Sequence, residues 1–279
     1  MKPNKISVQV EHQHTSYQMI DQVIHDCCKS IRYYANLIDQ GNNDMDIIHQ
    51  YRVSIRLTRS MLGLFKKQLD KKQHKQINQS LKLLAQHFAR VREIDVIMQM
   101  YQDNKDIFSA QKDDLYRIID DLQRDARMDA LSTFDRKLTY LVIDQIKQII
   151  ISPQVISKLE QLNLEEFINQ VIKKSMKKAV IAKKHISKTD DQTIHEYRLR
   201  LKKIRYAMQV FLPLIKLEYQ HQLESLKQQS DDLGLICDVA VLHHVLEHVK
   251  DPQAQDVINS FLIYMEIKSK QIKHKYFNN

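Results

Sequence analysis

Apolar residues recur at three- and four-residue spacing through most of the chain, as in MIDQVIHDCCKSIRYYANLI (residues 19–38) and LYRIIDDLQRDARMDALSTF (residues 115–134). That period collects them on one face of a helix with ~3.6 residues per turn, so both stretches are predicted to be amphipathic helices. The period is interrupted at QGNND (40–44), near 70–73, at QDNKD (102–106), at ISPQ (151–154), at SKTDDQ (187–192) and at Asp251-Pro252. Turn-forming and helix-capping residues cluster there, and roughly eight to ten helices are expected between them. Ser152 before Pro153 has the form of an N-cap followed by proline at the first helical position. A second half is therefore expected to begin there, giving residues 15–151 and 152–277 as halves of one domain spanning 1–279.

One pattern is written twice. HQYRVSIRLTRS starts at His49 and HEYRLRLKKIRY starts at His195, and both read His-x-x-Arg-x-x-x-(Arg/Lys)-x-x-Arg at an offset of 146 residues. Phe65 and Phe211 keep that offset, and FARVREIDV (88–96) answers LGLICDVAV (233–241) at an offset of 145. Repetition of this kind predicts an all-α fold of two pseudosymmetric helical bundles produced by internal duplication.

On a helix that advances ~100° per residue, positions i, i+3, i+7 and i+10 fall within about 80° of one another. His49, Arg52, Arg56 and Arg59 thus form one narrow stripe, and His195, Arg198, Lys202 and Arg205 form another, with Tyr206 beside it. Val53 and Leu199 flank the stripes on one side; Ile55 with Leu62, and Leu201 with Met208, flank them on the other. Gln50, Ser54 and Thr58 are expected to make the outward, solvated face. A helix packed on both flanks of its cationic row aims that row into a groove between helices. Gathering cations there costs repulsion and desolvation unless an anion compensates.

Composition narrows the choices. Three glycines and four prolines in 279 residues leave little turn chemistry for a sandwich, a barrel or a phosphate-cradling loop. Lys and Arg (43) exceed Asp and Glu (34) to give a formal net charge of +9, which favours a polyanionic partner. Adjacent Cys27 and Cys28 with a distant Cys237 make no disulfide framework, so a reducing cytoplasm is the expected compartment. Residues 1–18 contain no continuous apolar run and no window approaches 18 uncharged apolar residues, so neither a secretion signal nor membrane spanning is expected.

The paired motif helices resemble the CHAD family, the conserved histidine α-helical domain. The run Lys202-Lys203-Ile204-Arg205-Tyr206 is similar to that family's second-repeat signature. The later segments resemble its (Leu-Gly)-x-x-Arg-Asp pattern through Ala89, Arg92 and Glu93 in the first half and Gly234 and Asp238 in the second. Ala89 replaces the usual glycine, Glu93 the usual aspartate, and Cys237 stands where arginine is usual. The resemblance covers about residues 15–275. It implies two bundles around a central basic groove and, as ligand, inorganic polyphosphate, with residence on cytoplasmic polyphosphate granules.

The expected polyphosphate clamp is Arg52, Arg56, Arg59, Arg92, Arg198 and Arg205, whose forked donors bridge phosphate oxygens, with Lys202 and Lys203 as point charges. His49 and His195 open their stripes, either as hydrogen-bond donors to phosphate or as rings that cap or pack at the bundle junction, and Tyr206 completes the set. The competing reading of each cation is an ion pair with a neighbouring helix, foremost for Arg92, beside Glu93 and Asp95. Lys173, Lys177 and Lys184 make a further basic row that either lines the groove or faces solvent; Arg124 and Arg127 are left outside the site for the same reason.

Catalysis is not expected. HEYRL lacks the second histidine of a zinc-protease motif, and His25-Asp26 is an isolated dipeptide. His244 and His248, with His243 nearby, are a histidine pair without further ligands, so no metal is assigned. The pairs Asp113-Asp114, Asp120-Asp121, Asp190-Asp191 and Asp231-Asp232 diverge by ~100° on a helix and make no two-carboxylate acid/base site. No cofactor is implied. The β-rich triphosphate-tunnel domain of some CHAD proteins, with its Glu-x-Glu-x-Lys strand, has no counterpart, which leaves a stand-alone binding module. The alternatives are an RNA- or DNA-binding helical module and a phosphotransfer or hydrolytic enzyme. Base recognition favours aromatic stacking surfaces, and the chain has no Trp.

Overall fold

The computed structural model describes residues 3, 6–10, 14–42, 44–108, 112–187, 190–252 and 254–277. Regular structure among the described residues is helical throughout: α1 (Ser16–Asp39), α2 (Met45–Leu64), α3 (Lys71–His87), α4 (Ala89–Gln102), α5 (Lys112–Ser132), α6 (Arg136–Ile150), α7 (Pro153–Glu160), α8 (Leu164–Lys184), α9 (Asp191–Val210), the single turn α10 (Leu217–Gln220), α11 (Leu223–Leu246) and α12 (Gln255–Phe277). None is long and apolar enough to cross a membrane.

Helices end at each break that the periodicity marks, and also where it marks none. Phe88 separates α3 from α4 without Gly, Pro or a polar cluster to announce it. Its ring is fully buried and meets Tyr51 edge-on at 5.8 Å, so tertiary packing fixes the turn. Pro153 starts α7 as expected, whereas Ser152 does not cap it; the hydroxyl donates backwards to the Ile149 carbonyl at 2.8 Å.

Two buried apolar clusters organise the bundle, and each draws on both sides of residue 152. The larger joins α1, α2, α3, α6, α7, α8, α9 and the start of α11. The smaller joins the later turns of α4 and α11 with α5 and α12. α2 packs on α9, and α4 packs on α11, so the four helices that carry the repeated patterns are mutual neighbours.

The two motif helices are framed alike. Asp44 caps α2 by accepting the Asp46 amide at 2.7 Å, and Asp190 caps α9 by accepting the Gln192 amide at 2.9 Å. Their C-caps are Phe65 and Phe211, both buried, which meet edge-to-face at 6.1 Å while Phe167 stacks on Phe65 at 5.6 Å. Residues in equivalent positions of the repeat thus touch each other where α2 and α9 end.

Two expectations about these helices are corrected. Ser54 and Thr58 do not face solvent: both are buried, with Ser54 against Ser30 at 2.7 Å. Each hydroxyl donates to a carbonyl one turn back, Ser54 to Gln50 and Thr58 to Ser54, both at 2.8 Å, so each presents a satisfied and compact surface to α1. Conversely Leu199 is 43% exposed, and α9 lacks the apolar border on that side that Leu201 and Met208 provide on the other.

Truncating Phe211 to Ala is expected to cost about 3–5 kcal/mol in urea unfolding, the usual loss for a buried Phe, with Leu199→Ala within ~0.5 kcal/mol of the parent. A Phe211→Ala cost as small as that of Leu199→Ala would show that the aromatic junction does not hold α2 to α9.

Candidate functional site

The turn-by-turn geometry of α2 brings His49, Arg52 and Arg56 to one edge, and α9 brings His195, Arg198 and Lys202 to the edge opposite. α4 adds Arg92, and α11 adds Asp238. Arg56 is the pivot of this group. Its charge acts on His49, Arg52, Arg59 and Arg92 on its own side and on His195, Lys202 and Asp238 across the α2–α9 pairing. The two stripes therefore share one electrostatic neighbourhood.

Two arginines are anchored in the same way. Arg52, only 8% exposed, donates from Nη1 to the Ala85 carbonyl on α3. Arg198 donates from Nε to the Ser230 carbonyl on α11 at 3.3 Å. Arg52 and Arg198 differ by 146 in number, Ala85 and Ser230 by 145. Gly234 gives Arg198 its room, because a Cβ there would lie 2.9 Å from the guanidinium Nη2. Carbonyls orient these heads without neutralising them.

Among the described residues, no carboxylate comes within ion-pairing distance of Arg52, Arg56, Arg92, Arg198 or Lys202, in contrast to Arg127 and Arg205. The consequence shows in their acidities. Burial, with Arg198, Arg56 and Arg205 nearby, brings the Lys202 amine down to about 8. Burial, then Arg56 and Arg92, bring Arg52 down to about 10. Burial and Arg92 hold His49 at about 4, so its imidazole is neutral at physiological pH, and burial with Arg198 and Arg56 lowers His195 as well.

Asp238 is the carboxylate of the cluster. Burial raises its pKa while Arg198, Lys202, Arg92 and Arg56 oppose that shift, so it feels four of the cations together. It was legible only as part of the α11 pattern. The fourfold spacing from Gly234, which puts both on one face of α11, was the available signal that it belongs to the site.

The remaining expected residues lie at the margin. Arg59 reaches Asn78 on α3 through Nε at 3.0 Å. Arg205 turns to α11, donating to Ser230 Oγ at 3.1 Å and pairing with Asp231 at 3.0 Å, while its buried Nε has no partner. Tyr206 is half-buried on the main core beneath the Arg205 guanidinium. Lys203 is exposed. Arg92 is not claimed by its chain neighbours, since Glu93 lies 3.7 Å from Arg90 and Asp95 pairs with Arg127 at 2.6 Å. Arg124 is bound by Asp120 and Asp121, and Lys173, Lys177 and Lys184 are exposed on α8. A surface hollow between α8 and α9, lined by Lys178, His185, Glu196 and Arg200, includes none of the stripe residues.

The CHAD domain profile matches residues 22–247, from α1 to the end of α11. The fold is similar to the crystal structure of the CHAD domain from the plant Ricinus communis, with a TM-score of 0.75 and 17% identity over 97% of this chain and 91% of that one. It is also similar to PptA from Streptomyces chartreusis, with a TM-score of 0.61 and 14% identity over 90% of this chain and 96% of that one. No curated protein sequence matches. The structural likenesses carry the fold, and the profile, spanning most of the helices that build the cationic cluster, carries the assignment: this chain belongs to the CHAD domain family.

Proposed function

We propose that this protein binds inorganic polyphosphate, without turning it over, along a basic groove between α2 and α9. The observation that supports this reading is a cluster of cations, with Arg52 buried, Arg92, Arg198 and Lys202 half-buried and Arg56 exposed among them, in which carbonyls rather than carboxylates hold the heads of Arg52 and Arg198. Such a set is short of negative charge, and phosphate oxygens supply it in forked, charge-assisted hydrogen bonds. The family resemblance points to the same polymer. His49 and His195, kept neutral, contribute N–H donors rather than further charge.

A chain without bases suits the site better than nucleic acid. Tyr51 and Tyr197, next to the stripes on α2 and α9, are buried in the core, and Tyr206 packs on it. Neither of the buried rings, Tyr51 and Tyr197, offers a face on which bases could stack. A role without turnover is supported by what the cluster contains: cations and neutral imidazoles, with one carboxylate held among four positive charges. The free cysteines suit a reducing cytoplasm, and polyphosphate granules there are the site of action we propose.

The test is titration with long-chain polyphosphate in competition with single-stranded RNA and duplex DNA, with the polymer recovered afterwards from a Mg²⁺-containing incubation. Polyphosphate is expected to win the competition, to be recovered unshortened, and to bind with an affinity that falls steeply with salt. Arg56→Glu with Lys202→Glu is expected to weaken binding by more than ~2 kcal/mol, whereas the charge-matched pair Lys82→Glu with Lys158→Glu, both at exposed sites, changes it little. Equal losses in the two folded variants would mean that net charge alone attracts the polymer. Preference for nucleic acid would overturn the ligand.

Lys202 makes binding pH-dependent. Its amine loses its proton near 8 in the free protein, so affinity is expected to fall by roughly tenfold between about pH 7 and pH 9.5, the weight of one charge-assisted hydrogen bond. Stability without polymer moves the other way. The unfolded chain binds this proton more tightly, so the destabilisation from charged Lys202 is complete below about 8 and fades as pH rises towards the unperturbed value of 10.5. Lys202→Arg, charged throughout, is expected to flatten the binding profile; an unchanged profile in that variant would take Lys202 out of the site.

A further inference from the structure

The end of α11 and the turn that follows it carry three metal-ligating side chains that the polyanion reading does not use. His244, Glu247 and His248 are exposed, and one ligand atom from each lies within 4.8 Å of the others. Sequence shows only the histidine pair at i and i+4. The structure adds Glu247 as a third donor, with Oε1 3.7 Å from the Nδ1 atoms of both rings. It also adds the orientation of one ring: His248 Nδ1 lies 2.7 Å from the His244 carbonyl oxygen. Only the imidazole can donate in that bond, so the proton sits on Nδ1 and the lone pair of Nε2 is left for a ligand. A carbonyl-held imidazole of this kind is the usual support of a metal-bound histidine.

We propose that this end of α11 is a binding site for a divalent transition-metal ion, with His244, Glu247 and His248 as its three protein ligands. Two imidazoles and one carboxylate select Zn²⁺, Ni²⁺ or Cu²⁺ over Mg²⁺ and Ca²⁺, which take oxygen ligands. Metal–ligand bonds of ~2.0–2.2 Å separate ligand atoms by about 3.4 Å in a tetrahedral site, so the exposed side chains close on the ion by small rotations. Three ligands from one turn leave the fourth position to water. The location favours a cation, because the helix dipole is negative at this end.

The site is separate from the cationic cluster. His244 follows Asp238 by six residues on α11, which is ~9 Å along the axis and about 240° around it. A metal at this place locks the terminal turn of α11 just before the chain leaves it for α12.

The experiment uses the full chain without an affinity tag, freed of metal by chelation, in calorimetric titrations with ZnCl₂ and separately with MgCl₂. One equivalent of Zn²⁺ is expected to bind saturably and to raise the melting temperature, and Mg²⁺ is expected to do neither. His244→Ala and His248→Ala are each expected to weaken Zn²⁺ binding at least tenfold, and Glu247→Gln several-fold. All three positions are exposed, so the variants keep the parent circular dichroism and polyphosphate binding. Absence of saturable Zn²⁺ binding, or binding that survives in the His244→Ala/His248→Ala variant and so belongs to other histidines, would overturn the proposal.

Discussion

Like charges held close together in a partly dehydrated site are the constraint on which this structure turns. Arg56 acts on Arg52, Arg92, His195 and Lys202 at once, and among the described residues no carboxylate pairs with the cations of that inner set. Much of the surrounding architecture limits the cost of that arrangement. Backbone carbonyls of Ala85 and Ser230 take the heads of Arg52 and Arg198, Gly234 leaves the space that the second of these needs, and the histidines that open each stripe remain neutral. Apolar packing holds the helices together against the repulsion: Phe65 and Phe211 join α2 to α9 at the ends of the stripes, beyond the charges.

The α2 and α9 stripes share this design without being equal. The N-caps Asp44 and Asp190, the C-caps Phe65 and Phe211, and the arginine–carbonyl contacts recur at offsets of 146 or 145. At the α4 and α11 positions they diverge, since Arg92 answers Cys237 and Glu93 answers Asp238. Glu93 turns to Arg90, whereas Asp238 sits among the cations. One half thus supplies a further guanidinium and the other an internal counter-charge. The stripes differ as well: Arg56 is a permanent charge, while its counterpart Lys202 is an amine whose charge the site itself loosens.

The sequence displays the stripes plainly because a helix maps residue spacing onto angle, and His49, Arg52, Arg56, His195, Arg198 and Lys202 stay on the edges where that map puts them. Properties set by neighbours are not written in the spacing. Ser54 and Thr58 read as a solvent face, yet a hydroxyl bonded to its own helix packs like a small apolar group. Arg205 belongs to its stripe by angle, but Asp231 and Ser230 draw it onto α11, which only the pairing of α9 with α11 reveals. Lys203, ~80° away from His195 around the helix, was readable as peripheral from that angle alone. Phe88 divides α3 from α4 by its own burial, and no local composition announces it.

If the inner cations are kept for an anion and not for the fold, removing one must help the empty protein and harm the loaded one. Thermal unfolding of the parent and of Lys202→Met, with and without saturating polyphosphate near neutral pH, measures both sides at once. Without polymer the variant should melt about 2–4 °C higher, as expected for roughly 1 kcal/mol of relieved repulsion and desolvation in a chain of this size. With polymer the parent should gain more and the order should reverse. A variant that melts lower than the parent without polymer would make Lys202 a structural cation and contradict the anion-deficient site.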